Sequence, residues 1–251
     1  MNDLPVKDLP LPRSLKPGTR SPRPVDAAAL ILVDRSHGEA RVLMGRRHNR
    51  HTFMPSLWAF PGGKVDPPDA RAWTWATFSD ADQARLMHRT VRATRRKAHA
   101  LGVAALRETL EETGLAIGRK GAMPIDEARR WPAHAKTNLV PSLDQLRFVA
   151  RAITPPGQKR RYDCRFFLAE TPGLRVETAA PPSGELESLD WIPLSRLSRL
   201  DLPRITQIVL KEVDARLRGA PGPYPIPFHY MRGKTFRRDL IRDVAMPAAK
   251  G

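Results

Sequence analysis

The chain lacks the features that mark several classes of protein. Its 251 residues contain one cysteine, Cys164, which excludes an internal disulfide, so we expect this side chain to serve in packing. No apolar run approaches the roughly 18 residues of a membrane span, and no basic-then-apolar leader begins the chain. No internal repeat is present. We therefore expect a soluble, cytoplasmic protein without membrane partners.

Acidic residues are also scarce. The chain has 43 Lys and Arg against 26 Asp and Glu, a net charge of +17 with a pI near 11.0. This balance suits an acidic partner such as a nucleotide, coenzyme A or RNA, although arginine-rich composition can also be a genomic habit. Two segments concentrate the charge. Residues 85–97 carry six cations and no acid, with Arg85, Arg89, Arg92 and Arg96 on one predicted helical stripe, and residues 229–238 interleave cations with aromatics.

The apolar pattern predicts one domain with two extensions. At 41% hydrophobic residues the chain can bury one substantial core. We predict a Pro-rich arm at 1–25, a domain at 26–219, and a Pro-rich, basic tail at 220–251. Within the domain, alternating and periodic apolar residues predict strands at 27–33, 41–44, 57–60, 146–153, 164–169 and 189–192, and a closing helix at 205–217.

Two short motifs carry the chemistry. The first is the turn Phe60-Pro61-Gly62-Gly63, where a glycine pair would let the backbone approach a metal or a phosphate. The second is the run from Arg107 to Leu115, Arg-Glu-Thr-Leu-Glu-Glu-Thr-Gly-Leu. On a helix, Glu108, Glu111 and Glu112 share one edge, because residues three and four apart are neighbours.

Three clustered carboxylates repel one another, so a cation is expected among them. Hard oxygen ligands favour Mg²⁺ or Mn²⁺ over zinc. The apolar side chains of Val103, Leu106 and Leu110 fall on the other side and can anchor the helix to a sheet. Gly114 stands where a left-handed cap would end the helix. A charged, solvated helix face is the alternative interpretation.

Together, the two motifs resemble the ends of a Nudix box. The resemblance implies an α/β fold, a Nudix-type α/β/α sandwich with a mixed sheet, and magnesium-dependent hydrolysis of a diphosphate linkage in a nucleotide conjugate. It also implies that Glu111 and Glu112 are metal ligands, that Glu108 is a further ligand or the base, and that Arg107 orients a glutamate. The Gly62 carbonyl matches a backbone ligand.

The middle of the box departs from the family pattern. The 35 residues 64–98 stand between Gly63 and position 99, where the family has five residues before a glutamate. We therefore predict a mostly helical insertion, capped at Ser79 or Asp80, whose apolar side merges with the carboxylate helix. The position eight before Arg107 is His99, a poor magnesium ligand, so the family's first glutamate is taken to be displaced by the insertion.

The run from Leu43 to Asp66 resembles the coenzyme A diphosphatase branch, one subgroup of which has a long insertion at this place. The similarity extends to Thr154-Pro155-Pro156 and to residues 161–167. Forked guanidinium groups at Arg46, Arg47 and Arg50 could clamp phosphates, with the Gly63 backbone beside them. Strand-edge or loop charges without a ligand are the alternative.

A late acidic residue completes the set of candidates. In the family, a loop before a Glu-x-x-x-x-x-Trp strand often supplies a further carboxylate, and Glu185 stands six before Trp191. Glu187, four before it, matches less well.

Three functions stay open. The chain could hydrolyse coenzyme A, acyl-coenzyme A or a related small nucleotide conjugate. It could remove a 5′-pyrophosphate from RNA, a nucleic-acid partner that is possible but not favoured. It could also be a non-catalytic nucleotide-binding regulator, against which the retained carboxylates argue.

Overall fold

The computed structural model describes residues 15–16, 19–36, 38–47, 56–171, 175–178, 182–219 and 224–243. Twelve strands and five α-helices are formed by these residues. The strands are β1 Val25–Asp34, β2 Arg41–Arg47, β3 Trp58–Ala59, β4 Gly62–Lys64, β5 Leu115–Lys120, β6 Leu139–Val140, β7 Arg147–Ile153, β8 Tyr162–Glu170, β9 Arg175–Thr178, β10 Leu186–Pro193, β11 Ile226–Arg232 and β12 Thr235–Ile241. The helices are α1 Asp80–Met87, α2 Arg95–Thr113, α3 Ile125–Ala128, α4 Pro132–Thr137 and α5 Arg204–Arg218.

A large mixed sheet forms the centre of the molecule. Its strand order is β10-β2-β1-β8-β7-β11-β12, with β3 paired to β2 and β4 paired to β1. The long β1–β8 pair is parallel, whereas β7–β8 and β2–β10 are antiparallel. A second, three-stranded sheet has the order β6-β5-β9. The predicted α/β class with a mixed sheet is confirmed.

Helices cover both faces of the large sheet because the side chains of its strands alternate. Along β1, Leu30 and Leu32 join the core beneath α2, whereas Ile31 and Val33 join the core beneath α5. All four of these side chains are fully buried. The predicted pair of strands at 27–33 and 41–44 and the predicted closing helix are confirmed as β1, β2 and α5. Among the described residues, no helix is long and apolar enough to cross a bilayer.

The predicted inserted helix and the carboxylate helix are separate in the structure, as α1 Asp80–Met87 and α2 Arg95–Thr113. Ser79 caps α1, as predicted, and its hydroxyl accepts from the Asp82 N–H at 3.1 Å. Residues 88–94 then interrupt the helix, with Arg89 and Arg92 at φ 52° and 53°. The prediction that the inserted helix merges with α2 is therefore wrong, and so is the single arginine stripe. Arg89 instead turns to the sheet, where its Nη1 pairs with Asp239 Oδ2 at 2.5 Å.

Part of the predicted tail belongs to the sheet. Residues 226–241 form the hairpin β11–β12, and β11 pairs in parallel with β7 through Phe228 and His229. Phe228 and Ile241 are buried in the core beneath α2, and this burial fixes the segment. These residues are therefore strands rather than a tail, while the division of the chain into arm, domain and extension stays a prediction.

A buried set of charges ties α2 to the strands, and we call it the arginine network: Asp26, Lys97, Arg151, Asp163 and Arg165. Arg151 and Arg165 are among the most buried side chains, at 2% and 0% exposure. Arg151 donates to both carboxylate oxygens of Asp163 at 2.8 and 2.6 Å. Arg165 Nη1 donates to Asp26 Oδ1 at 2.9 Å, and Lys97 Nζ lies 2.7 Å from Asp26 Oδ2. The network thereby anchors the first turns of α2 to β1 and β8.

Candidate active site

The glycine turn lies against the centre of β1. Gly63 pairs with Ala28, and Gly62, at φ 156°, pairs with Ala29. A Cβ on Gly62 would stand 2.5 Å from the Ala28 carbonyl oxygen, and one on Gly63 would stand 2.4 Å from the Glu108 carboxyl group. Gly62 therefore requires glycine, because the β1 backbone approaches it more closely than a side chain permits, whereas a side chain at Gly63 would displace the Glu108 carboxyl group.

The last turns of α2 face this glycine turn with their carboxylates. Glu112 is buried at 4% exposure, and its Oε2 accepts a hydrogen bond from the Gly62 N–H at 2.8 Å. The side chain of Glu108 is 14% exposed and that of Glu111 is 51% exposed. The helix ends at Thr113, and Gly114 takes the left-handed conformation at φ 75° and caps it, as predicted. The three glutamates thus form a graded set from the buried interior to solvent.

Arg107 organises the carboxylates from one side. Its Nη1 donates to Glu108 Oε1 at 2.9 Å and to Glu111 Oε2 at 3.1 Å. Its Nη2 donates to the Lys64 carbonyl oxygen at 3.0 Å, which joins the helix to the strand after the glycine turn. Arg107 therefore contacts two of the three glutamates, Glu108 beside it and Glu111 one helical turn away.

Asp69 was missed by the sequence prediction. This aspartate is 2% exposed, and it accepts from Arg107 Nε at 2.8 Å and from Nη2 at 3.0 Å. It lies in the short 3-10 helix Pro67–Arg71, where its Oδ2 also accepts from the Asp66 N–H at 2.8 Å. The acidic position that we took to be displaced is therefore present here. The signal was the five-residue spacing after Gly63, which the assumed start of the insertion at residue 64 concealed.

His99, at the position where the uninterrupted box would place its first glutamate, has another partner. Its Nε2 lies 2.8 Å from the Ala72 carbonyl oxygen. It packs the segment after Asp69 against α2 and takes no part in the acidic set.

Glu185 reaches the same region from the loop before β10. Backbone contacts hold this loop on α2, since the Ser183 N–H donates to the Glu111 carbonyl oxygen at 2.7 Å. Gly184, at φ 84°, makes the turn between them. Glu185 is exposed, and its negative charge acts on both Glu108 and Glu112. We call Glu108, Glu111, Glu112 and Glu185 the acidic cluster.

The pKa values of two glutamates in the acidic cluster, Glu108 and Glu112, are raised above their usual range. Burial raises the pKa of Glu112 to about 8; the Gly62 N–H and Arg47 oppose this shift, and Glu108 and Glu185 add to it. Burial also raises the pKa of Glu108 above its usual range, against the influence of Arg107. Burial opposes the charged form of Arg107, but Asp69 and Glu108 outweigh this and raise its pKa. The cluster therefore holds more negative groups than the low-dielectric site can keep ionised without a further cation.

The predicted phosphate-binding arginines lie on or after β2. Arg46 is exposed, and its Nε donates to the Ser56 carbonyl oxygen at 3.2 Å. Arg47 is half-buried, and its positive charge acts on Glu112 and on Cys164. Arg50 lies outside the described residues. Cys164 packs against the core beneath α5, where burial raises the pKa of its thiol to about 12.

The fit of a divalent cation depends on the donor chemistry of this site. In the part of the chain that the structure describes, no three His, Cys, Asp or Glu side chains stand as a ready metal-holding group. Glu108 and Glu111 are turned to Arg107, and Glu112 is turned to the Gly62 N–H. All the donors are nonetheless hard carboxylate oxygens, and burial leaves Glu112 protonated near neutral pH. A divalent cation could take the place of this proton among the carboxylates of Glu108, Glu111 and Glu112, so the chemistry of the donors fits a metal ion.

The geometry favours chemistry on a negatively charged substrate. A clustered set of carboxylates can hold cations beside a glycine turn that is open to a close backbone approach, and the positive charge of Arg47 acts on the same cluster. Hydrolysis of a diphosphate needs this combination, because the attacking water and the phosphate oxygens both require positive charge nearby.

Comparisons with known proteins agree with the fold. The family model described as NUDIX domain matches residues 23–213. A NUDIX hydrolase from Alicyclobacillus acidocaldarius is 28% identical, with a TM-score of 0.53, over 80% of this chain and 99% of that chain. No curated protein matches the sequence.

Two more distant structures show lower similarity. The NUDIX domain of Shewanella oneidensis NrtR, complexed with ADP ribose, is 12% identical with a TM-score of 0.43, over 78% of this chain and 90% of that chain. A MutT NUDIX hydrolase from Burkholderia pseudomallei is 18% identical with a TM-score of 0.44, over 76% of this chain and 99% of that chain.

Proposed function

This chain belongs to the Nudix family, as a hydrolase of pyrophosphate-containing nucleotide derivatives, and we propose that its substrate is coenzyme A or an acyl-coenzyme A. The acidic cluster at the glycine turn is the observation that carries the hydrolytic activity. The choice of substrate rests on the run from Leu43 to Asp66 and on residues 161–167, which resemble the coenzyme A diphosphatase branch.

The proposed metal site uses residues that meet at the glycine turn. Glu108, Glu111, Glu112 and the Gly62 carbonyl would hold Mg²⁺ or Mn²⁺. When bound, the cation would neutralise negative charge on the diphosphate and make an attacking water more acidic. Arg107 would hold Glu108 and Glu111 in position, because its guanidinium group is itself fixed by hydrogen bonds to Asp69 and to the Lys64 carbonyl.

The remaining roles fall to groups around the cluster. Arg46, Arg47 and Arg50 would bind the phosphate oxygens of the substrate, and the Gly63 backbone would allow the diphosphate to approach Glu108. Glu185 or Glu108 would accept the proton of the attacking water. Glu185 is the more exposed of the two and lies on a loop, so it can meet a water that enters from solvent.

A hydrolysis screen with product identification tests the substrate. The panel contains coenzyme A, its thioesters, ADP-ribose, NADH, dinucleoside polyphosphates, nucleoside triphosphates and 5′-triphosphate RNA, each with and without Mg²⁺ or Mn²⁺. We expect the highest kcat/KM for coenzyme A or a thioester, with a phosphopantetheine and an adenosine bisphosphate as products. Faster turnover of any other class would overturn the coenzyme A proposal and leave the hydrolase class intact.

A matched pair of variants tests the proton acceptor. Glu185→Gln and Glu187→Gln remove one carboxylate each, two residues apart, from the same exposed stretch. We expect the first to lower kcat by about a hundredfold, within the range for a general base. The second should lower it much less. Equal losses would contradict the assignment of Glu185.

A further inference from the structure

The outer edge of β12 pairs with no other strand in the described part of the chain. β12 follows β11 through a hairpin with a two-residue turn, closed by the pair of Arg232 and Thr235. In such a hairpin the closing pair and every second pair beyond it exchange backbone hydrogen bonds. Phe236, Arg238 and Leu240 fall between these pairs, so their backbone N–H and C=O groups point away from β11 and are available to another strand.

The edge of β12 has a regular backbone and exposed apolar side chains. β12 is seven residues long, contains no proline, and keeps one register with β11 without a bulge. Its side toward α5 carries two of the six large apolar side chains that are exposed in the described residues, Phe236 at 43% and Leu240 at 38%. The charged side chains of β12 therefore decide whether a second strand is excluded or accepted.

These charges lie on both sides of the strand. Arg238 faces α5, where its Nη2 lies 2.7 Å from Glu212 Oε1. Arg237 and Asp239 lie on the opposite side, since they pair with the β11 residues that pack beneath α2. The two hydrogen bonds that Asp239 accepts come from the segment between α1 and α2 and from β11, and both go to Oδ2. Among the described residues, Asp239 Oδ1 accepts no hydrogen bond and Arg237 forms no ion pair.

We propose that this edge is a dimer interface, in which β12 pairs antiparallel with β12 of a second copy about a two-fold axis at Arg238. Residues that stand opposite each other in an antiparallel pair lie on the same side of the sheet, so such an axis passes through a residue rather than between two. Centred on Arg238, the register sets Arg237 of each copy opposite Asp239 of the other, and Phe236 opposite Leu240. All three residues with outward backbone groups then enter the ladder, which gives about six hydrogen bonds between the copies.

The charges select this register. Arg237 and Asp239 would meet at a non-hydrogen-bonded position, where the Cα atoms are about 4.5 Å apart and opposite charges on facing side chains attract. The neighbouring registers, centred on Arg237 or on Asp239, would instead set two like charges against each other at such a position. In the proposed register the two Arg238 residues stand at the wider hydrogen-bonded spacing, and Glu212 of the same copy holds each guanidinium group.

The proposed interface is separate from the acidic cluster. β12 stands four strand spacings from β1, about 19 Å at the usual separation, and the acidic cluster lies at β4 and α2 beside β1. We therefore expect kcat per chain to be the same in the monomer and in the dimer. The proposal does not depend on the substrate of the hydrolase.

Sedimentation velocity at about 1 to 200 µM protein measures the association. An interface of one strand pair is small, so we expect a monomer–dimer equilibrium with a Kd on the order of 10 µM. A two-fold contact closes at two copies. A protein that sediments as a monomer over the whole range, or that forms open-ended larger species, would therefore overturn the proposal.

Arg238→Pro and Arg238→Ala form the matched pair that locates the contact on β12. Both lose the ion pair with Glu212, but only proline removes the N–H at the centre of the ladder. Because this N–H points away from β11, proline should leave the hairpin intact, which thermal unfolding checks. We expect the proline variant to raise Kd at least about tenfold and the alanine variant to stay within about threefold of the parent. Equal affinities in the two variants would contradict an interface at this edge.

A charge variant that keeps the hairpin backbone tests the register itself. Arg237→Glu would place a glutamate opposite Asp239 at both ends of the interface, so Kd should rise about tenfold or more. Arg232→Glu is the control, because it makes the same change of charge on β11, one strand away from the edge, and it should change Kd by no more than about threefold. Equal weakening by both variants would show that association follows net charge alone. That result, or an unchanged Kd for Arg237→Glu, would overturn the proposal.

Discussion

The acidic cluster and the arginine network are two partly buried sets of charges that both include residues of α2, and they differ in the balance of positive and negative charge. In the network, Asp163 is buried, but the Arg151 hydrogen bonds and the Arg165 charge outweigh burial and hold its pKa below the usual range. In the cluster, burial raises the pKa of Glu112 to about 8 despite Arg47 and the Gly62 N–H. Balanced buried charges fix positions. Buried carboxylates without enough neighbouring cations favour the binding of a further cation, and a catalytic site can use this property.

The strongest test of this contrast is Glu112→Gln. The amide oxygen can still accept from the Gly62 N–H, so we expect the fold and the thermal midpoint to be kept. Turnover should fall on the order of a thousandfold, because a carboxylate of the proposed cation site is lost. Turnover by metal-saturated enzyme and thermal unfolding are the two measurements. An active Glu112→Gln variant would refute the proposed metal role.

Arg165→Met should show the opposite pattern. It leaves Asp26 and Asp163 short of a cation in the interior, so we expect a loss of about 3 to 5 kcal/mol in the free energy of unfolding. Denaturant titration measures the loss. Turnover per folded molecule should stay within a few fold of the parent, in contrast to Glu112→Gln. Unchanged stability would mean that the network does not anchor α2.

Asp69→Asn tests whether the ion pair between Asp69 and Arg107 supports the acidic cluster. Arg107 loses the charge of its buried partner but keeps the Lys64 carbonyl and two glutamates, so its guanidinium is held less firmly. We expect kcat or the affinity for Mg²⁺ to fall about 10- to 100-fold. Asp69→Glu should restore part of the loss, and a metal titration separates the two effects. An Asn variant with the metal affinity and kcat of the parent would contradict this role for Asp69.

His229 offers the smallest effect and a region outside both sets of charges. Its side chain is 2% exposed, and burial, with help from Arg238, lowers its pKa to about 4 from the ordinary 6.5. Between pH ~4 and ~6.5, His229 is therefore protonated in the unfolded chain and neutral in the folded chain. The stabilisation is complete above pH ~6.5 and is lost as the pH falls toward ~4.

Between pH ~7 and ~5 this loss amounts to about 2 kcal/mol. Unfolding free energies at both pH values, for the parent and for His229→Leu, measure it. The variant should lose less stability than the parent on acidification. An identical decline in the two proteins would show that His229 titrates normally.

Local sequence signals predicted the parts of the fold that depend on neighbours in the chain. The alternating residues of β1, the periodic apolar face of α5 and the Gly114 cap of α2 all occur as expected. Each depends on contacts within a few residues or on one buried face. The spacing of Glu108, Glu111 and Glu112 brought them to one edge for the same reason.

Long-range contacts decided the parts that were wrong. Arg89 leaves the helical conformation without a nearby glycine or proline, and its partners Asp239 and Tyr230 come from the far end of the chain. The hairpin β11–β12 is mostly exposed on its edge strand, so its sequence lacks the alternation of a strand with one buried face. Its pairing with β7 is what makes it a strand.

The pair of Asp69 and Arg107 also closes a loop of 37 residues at its base. The entropy cost of closing a flexible loop grows only with the logarithm of its length, by about 0.6 kcal/mol for each doubling. Residues can therefore be added between the 3-10 helix at Pro67–Arg71 and the start of α2 at a small entropy cost, provided that Phe78, Leu86 and Met87 keep their places in the core beneath α2. The enzyme can acquire new surfaces at this point while the chemistry at the base of the loop stays unchanged.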